Sequence, residues 1–133
     1  MRVMLDTNII ISAIVFKSQI MNEIIKLLAE KYSLVLCSYV IDELHEVVNS
    51  KFRTKIMELE TFLLQLPFEF VYTPKILPEH NFFTIRDEDD EKVLYSAILA
   101  DVDILVTGDK DFYEVDIERP EILSLAEFLE MRL

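Results

Sequence analysis

Four acidic residues stand where short apolar runs hand over to helical ones: Asp6 after residues 2–5, Glu43 early in the helix opened by Ser38, Asp90 at the head of the helix running to Ala100, and Asp109 past residues 103–107. Carboxylates gathered within a few ångströms raise one another's pKa and oppose folding unless a cation compensates them. The donors are all oxygen, with no His or Cys cluster beside them, so Mg2+ or Mn2+ suits the set far better than Zn2+. One or two such ions activate water and stabilise in-line attack on a phosphodiester. Gly108 is the only glycine, which excludes a glycine-rich phosphate cradle and leaves the chemistry to side chains.

The elements that must position these acids alternate between short β-branched runs and helical patterns, the encoding of a parallel sheet covered by crossover helices. The expected fold class is α/β, a three-layer α/β/α sandwich with a central parallel sheet of about four to five strands, built as one domain over residues 1–133. Strands are expected at 2–5, 34–36, 68–71, 103–107 and 121–123, short and apolar as buried parallel strands should be. Ile20, Ile24, Leu27 and Leu28 mark one amphipathic helix, Val40, Leu44, Val47 and Val48 a second, and Ile56, Leu59, Leu63 and Leu66 a third that Pro67 ends. Ser124 and Glu127 have capping-box spacing at the start of a C-terminal helix. Residues 72–84, with Pro74 and Pro78, form the one irregular stretch.

In an open parallel sheet the functional groups collect outside the carboxyl ends of the strands, so all four acids should open onto one edge. Helical phase at 100° per residue separates them from acidic neighbours. Glu43 borders the stripe of Val40 and Leu44, whereas Asp42 and Glu46 point away. Asp90 continues the face of Val93, Leu94, Ala97 and Ile98 back by one turn. Any one of these acids, taken singly, is as readily a helix cap as a ligand; four in matching topological places favour a site. Thr7 and Asn8 cap the next helix, orient Asp6, or do both. Thr107 is either a hydroxyl supporting an acid from behind or an ordinary strand residue, and Asp111 either a fifth acid near the metal or a turn residue. Asp87, Glu88, Asp89 and Glu91 read as a solvated acidic run at a helix start, and His45 and His80 as surface residues.

Composition limits the rest. In 133 residues, 25 acids against 13 Lys plus Arg give a net charge of −12, which opposes long-range nucleic-acid attraction unless metal or a local basic patch reverses it. Lys51, Arg53 and Lys55 are the densest basic group, and Arg86, Lys92 and Lys110 lie beside the acidic motifs, so these six are the candidates for phosphate contacts. The lone Cys37, in an apolar setting, reads as a buried thiol in a reducing cytoplasm. The longest apolar run, 9–16, is too short to span a bilayer, and the chain opens on a strand in place of a charged leader, so a cytoplasmic protein without a membrane anchor is expected. Met57, Phe62 and Leu64 lie beyond the main stripe of their helix, leaving apolar surface for a homodimer or another protein to cover.

The order and spacing of Leu5-Asp6-Thr7-Asn8, Ser38-x4-Glu43-Leu44, Arg86-Asp87-x2-Asp90-x6-Ala97 and Leu105-Val106-Thr107-Gly108-Asp109-Lys110-Asp111-Phe112 resembles the PIN-domain family across nearly the whole chain. Within it the chain looks most like the VapC-like toxins of prokaryotic toxin-antitoxin pairs. The resemblance implies Mg2+- or Mn2+-dependent cleavage of single-stranded RNA, with Asp6, Glu43, Asp90 and Asp109 matching the acidic tetrad and Asp111 as an accessory. It also implies an antitoxin partner. Lys17-Ser18 departs from the small, glycine-containing loop often found there. Two other readings stand beside it: a PIN fold kept as a catalytically inactive RNA- or protein-binding module, and a phosphotransfer domain. Aspartate-based phosphatases want a second Asp two residues after the first, where this chain has Asn8, and Lys110 does not directly follow a strand as a receiver domain's lysine would.

Overall fold

The computed structural model describes residues 1–16, 18–75, 85 and 87–132. Its five strands are β1 (Arg2–Leu5), β2 (Ser33–Cys37), β3 (Glu69–Val71), β4 (Ile104–Val106) and β5 (Glu121–Leu123). They form one sheet in the order β3-β2-β1-β4-β5, and every pairing is parallel. The helices are α1 (Thr7–Ile14), α2 (Gln19–Lys31), α3 (Ser38–Lys51), α4 (Ile56–Gln65), α5 (Glu88–Leu99) and α6 (Leu125–Arg132), with 3-10 turns at Arg53–Lys55 and Lys110–Glu114. This is the expected three-layer α/β/α arrangement.

The central strands carry no polar face because helices cover both sides. Val3, Met4, Leu5, Leu34, Val35, Leu36, Ile104, Leu105 and Val106 are all buried, and so is Cys37. They share one apolar cluster with Ile10, Ile25, Leu28, Val40, Leu44, Leu59, Leu94, Phe112 and Phe128. The chain builds outward from β1 to β2 to β3, then returns through α5 to lay β4 on the other side of β1. Right-handed crossovers running in opposite directions deposit their helices on opposite faces of the sheet. The reversal makes the gap between β1 and β4 a topological switch point, the place where an open α/β sheet leaves a crevice at its carboxyl edge.

Helix boundaries follow local chemistry. Ser18 Oγ accepts from the Met21 N–H at the start of α2, and the capping box of α6 forms in both directions between Ser124 and Glu127 (3.0 and 3.1 Å). Two expectations are corrected. Asp90 does not start its helix: Asp87 is the N-cap, accepting from the Asp89 N–H, and Asp90 is the third helical residue. Capping of α1 falls to Asp6 itself, with neither Thr7 nor Asn8 in that role, because the helix begins immediately after β1. Among the described residues no helix is long and apolar enough to cross a membrane.

Candidate metal centre

Asp6 follows β1 and Thr107 follows β4, the two strands flanking the switch point, so their side chains meet across it. Thr107 Oγ1 donates to Asp6 Oδ2 (2.8 Å) and accepts from the Asp109 N–H (3.1 Å). The Thr7 N–H donates to Asp6 Oδ1 (2.8 Å). Asp6 is 5% exposed and Thr107 fully buried; each oxygen of the Asp6 carboxylate therefore has one fixed donor. Burial pushes the Asp6 pKa above the ordinary carboxylate value; the two hydrogen bonds oppose that rise, and the charges of Glu43 and Asp109 add to it.

Asp109 caps the 3-10 turn that follows β4, accepting from the Asp111 N–H (2.9 Å). That turn brings Asp111 back beside it. Across from both, Asp90 points from the first turn of α5, and carboxylate oxygens of Asp90, Asp109 and Asp111 all lie within 4.8 Å of one another. Asp90 Oδ2 is buried and faces no donor. A hydrogen bond between Asp90 and Asp109 requires one of them to hold a proton, because two ionised carboxylates are both acceptors. Burial first, then the Asp109 carboxylate and the charges of Asp6 and Asp87, push the Asp90 pKa up to about 8. Oxygens on opposite sides of a single hard cation stand about 4–5 Å apart, so the three acids fit one Mg2+- or Mn2+-sized ion. An orphaned buried carboxylate oxygen is the group such an ion satisfies.

Glu43 lies in the second turn of α3, partly exposed, with its charge acting on Asp6. Of the expected tetrad, the structure brings Asp90 and Asp109 together with Asp111, and leaves Asp6 within electrostatic reach of Glu43 and Asp109. Asp111, expected as an accessory, belongs to the tight set with Asp90 and Asp109, while Asp6 lies outside that set, held by its two donors, and Glu43 also lies outside it. The short 3-10 turn Lys110–Glu114 makes the difference, and sequence spacing does not fix which way such a turn folds.

The basic candidates divide. Lys92 extends from α5 beside the acids, 3.4 Å from Asp89, and Lys110 is exposed next to Asp109. Lys51 ends α3 and Arg53 and Lys55 lie in the 3-10 turn after it, Lys51 standing about 12 Å along the helix axis from Glu43, so the structure does not bring them to the site; Lys55 pairs with Glu58. Arg86, Lys17 and His80 lie outside the described residues. Asn8 is exposed, as are Asp87, Glu88 and Asp89, in keeping with a solvated run. His45 is not a plain surface residue: Nδ1 lies 2.8 Å from the Ile41 carbonyl and Nε2 2.6 Å from Glu60 Oε1, linking α3 to α4. Sequence reasoning missed Tyr39, whose hydroxyl donates to Glu43 Oε2 (2.9 Å); its i,i+4 spacing to Glu43 on one helix was the available signal.

Comparison with known proteins returns a family model described as PIN domain, matching residues 2–111. No curated protein matches the chain. Among solved structures, one of VapBC2 from Rickettsia felis bound to a DNA fragment from their promoter aligns with a TM-score of 0.67 at 22% identity, covering 93% of this chain and 98% of that one. At that identity the likeness speaks for the fold.

Proposed function

Because this chain belongs to the PIN-domain family, we propose that it is a divalent-metal-dependent nuclease, with residues 1–133 acting as one domain that hydrolyses phosphodiester bonds of single-stranded RNA. The observation that carries this reading is the set of Asp90, Asp109 and Asp111, gathered within 4.8 Å with a donorless buried oxygen on Asp90. Those three residues, with Asp6 and Glu43 completing the set, would hold Mg2+ or Mn2+, which supplies Lewis-acid stabilisation and a more acidic water when bound. Thr107 and the Thr7 N–H fix the Asp6 carboxylate so that it does not reorganise during reaction. Glu43 orients the attacking water and takes its proton. Lys92 and Lys110 contact substrate phosphates, offsetting locally a chain of net charge −12. In-line attack leaves 5′-phosphate and 3′-hydroxyl ends.

The further proposal is that the protein is the cytoplasmic toxin of a toxin-antitoxin pair. The similar Rickettsia felis structure is a VapBC2 complex on promoter DNA, which supports an antitoxin partner here. So does an open groove of about 1180 Å³ between α2 and α4, lined by Ile20, Met57 and Phe62 among others. Met57 and Leu64 on α4 are 75% and 86% exposed, apolar surface that an antitoxin or a second copy would cover.

The test is cleavage of a mixed-sequence single-stranded RNA with Mg2+ or Mn2+, with chelator, and with Asp6→Asn. Chelator should abolish cleavage, and Asp6→Asn should lower it by about 100-fold while the circular dichroism spectrum is unchanged. Cleavage that persists in chelator, or full activity of the variant, refutes the assignment; a folded protein inert with both metals points to the binding-module reading.

A further inference from the structure

Three contacts converge on Tyr39, the second residue of α3. Its backbone N–H donates to Thr73 Oγ1 (3.1 Å), its hydroxyl donates to Glu43 Oε2 (2.9 Å), and Lys92 Nζ from α5 lies 5.1 Å from its ring centroid. Thr73 is itself pinned. Its N–H donates to Ser38 Oγ (2.9 Å), and its hydroxyl lies 2.9 Å from that of Ser96 on α5. The start of α3, the segment after β3 and the middle of α5 are thereby tied together beside Tyr39. A cation over a tyrosine face is an attractive contact that also restricts the ring.

Glu43 needs such a restraint. It is a three-torsion side chain, partly exposed, at the rim of an acidic cluster that repels it, and without a partner nothing holds it against that repulsion. The phenol offers the neutral donor that can hold it without adding charge. Burial, then the neighbouring Glu43 carboxylate, pushes the Tyr39 pKa above the ordinary tyrosine value, so the hydroxyl keeps its proton.

We propose that Tyr39 is a positioning residue for Glu43: its hydroxyl holds one carboxylate oxygen and turns the other toward the acidic cluster, while Lys92 on the ring face keeps the phenol in place. The kinetic consequence rests on the nuclease reading, whereas the consequence for metal affinity does not. Tyr39→Phe retains the ring and the Lys92 contact and removes only the hydroxyl. It should weaken Mn2+ binding, measured by titration calorimetry, and lower kcat for RNA cleavage, each about 10- to 100-fold as for other groups that orient metal-site ligands. KM and the melting temperature in chelator should be unchanged. In the cycle with Glu43→Gln, the double variant should be no worse than Glu43→Gln alone, because a positioner has nothing left to position. Wild-type Mn2+ affinity in Tyr39→Phe, or losses that add in full in the double variant, overturn the proposal. If the wild type proves inert on RNA while Tyr39→Phe still weakens Mn2+ binding, the nuclease reading fails and the positioning role stands.

Discussion

Replacing Asp90 by Asn should stabilise the metal-free protein while destroying the site. Asp90 Oδ2 is buried without a donor beside the Asp109 carboxylate, and the Asp90 pKa is pushed from 3.8 to about 8, by burial first and then by Asp109. A carboxyl whose pKa is raised on folding binds more protons in the native state than in the unfolded one, so stability falls as pH rises from about 4 to about 8. At pH 7 the gap to the unfolded value is about three pH units, or ~4 kcal/mol at 1.36 kcal/mol per unit. Solvent reaches this half-open site and screens the repulsion, which brings the expected gain to ~2 kcal/mol. Asparagine removes the charge and presents an N–H pair able to donate to Asp109. For a chain of this size ~2 kcal/mol corresponds to a rise in melting temperature of roughly 5–10 °C. Thermal melts in chelator across pH 4.5–8.5 read the effect: the difference between variant and wild type should be small at pH 4.5 and grow with pH. Adding Mg2+ should then stabilise the wild type more than the variant. A variant no more stable than wild type at pH 7.5 in chelator, or a gain independent of pH, refutes the reasoning.

Two further outcomes follow from the same physics. Thr107→Val is nearly isosteric but leaves Asp6 Oδ2 and the Asp109 N–H without their shared partner, so urea denaturation in chelator should show a loss of about 1–3 kcal/mol; a loss below about 0.5 kcal/mol would contradict the role assigned to that hydroxyl. For the clasp between α3 and α4, burial lowers the His45 pKa, but the Ile41 carbonyl and the Glu60 carboxylate outweigh it, leaving a net rise. A raised histidine contributes stability that is complete below its unfolded value near 6.5 and lost as pH rises through the folded one. Glu60→Gln should therefore cost about 0.5 kcal/mol at pH 5.5 and almost nothing at pH 9, and equal losses at both pH values would rule the clasp out.

The sequence alone determined the layer architecture and singled out the candidate acids. Apolar runs too short for helices, alternating with stripes of 3.6-residue period, left the parallel sheet as the economical arrangement, and helical phase separated Glu43 and Asp90 from Asp42, Glu46 and Glu91. These are local properties, fixed by which face of an element a residue occupies. Tertiary structure decided the rest. Placing β4 beside β1 set Thr107 against Asp6, residues 101 positions apart that no periodicity connects. The 3-10 turn after β4 carried Asp111 into the tight set with Asp90, and the tie of α3 to α5 through Thr73 and Ser96 placed Lys92 over Tyr39. Pattern reports the face a side chain presents; which side chains meet across a crevice depends on strand order and turn geometry, and those are settled only when the whole chain packs.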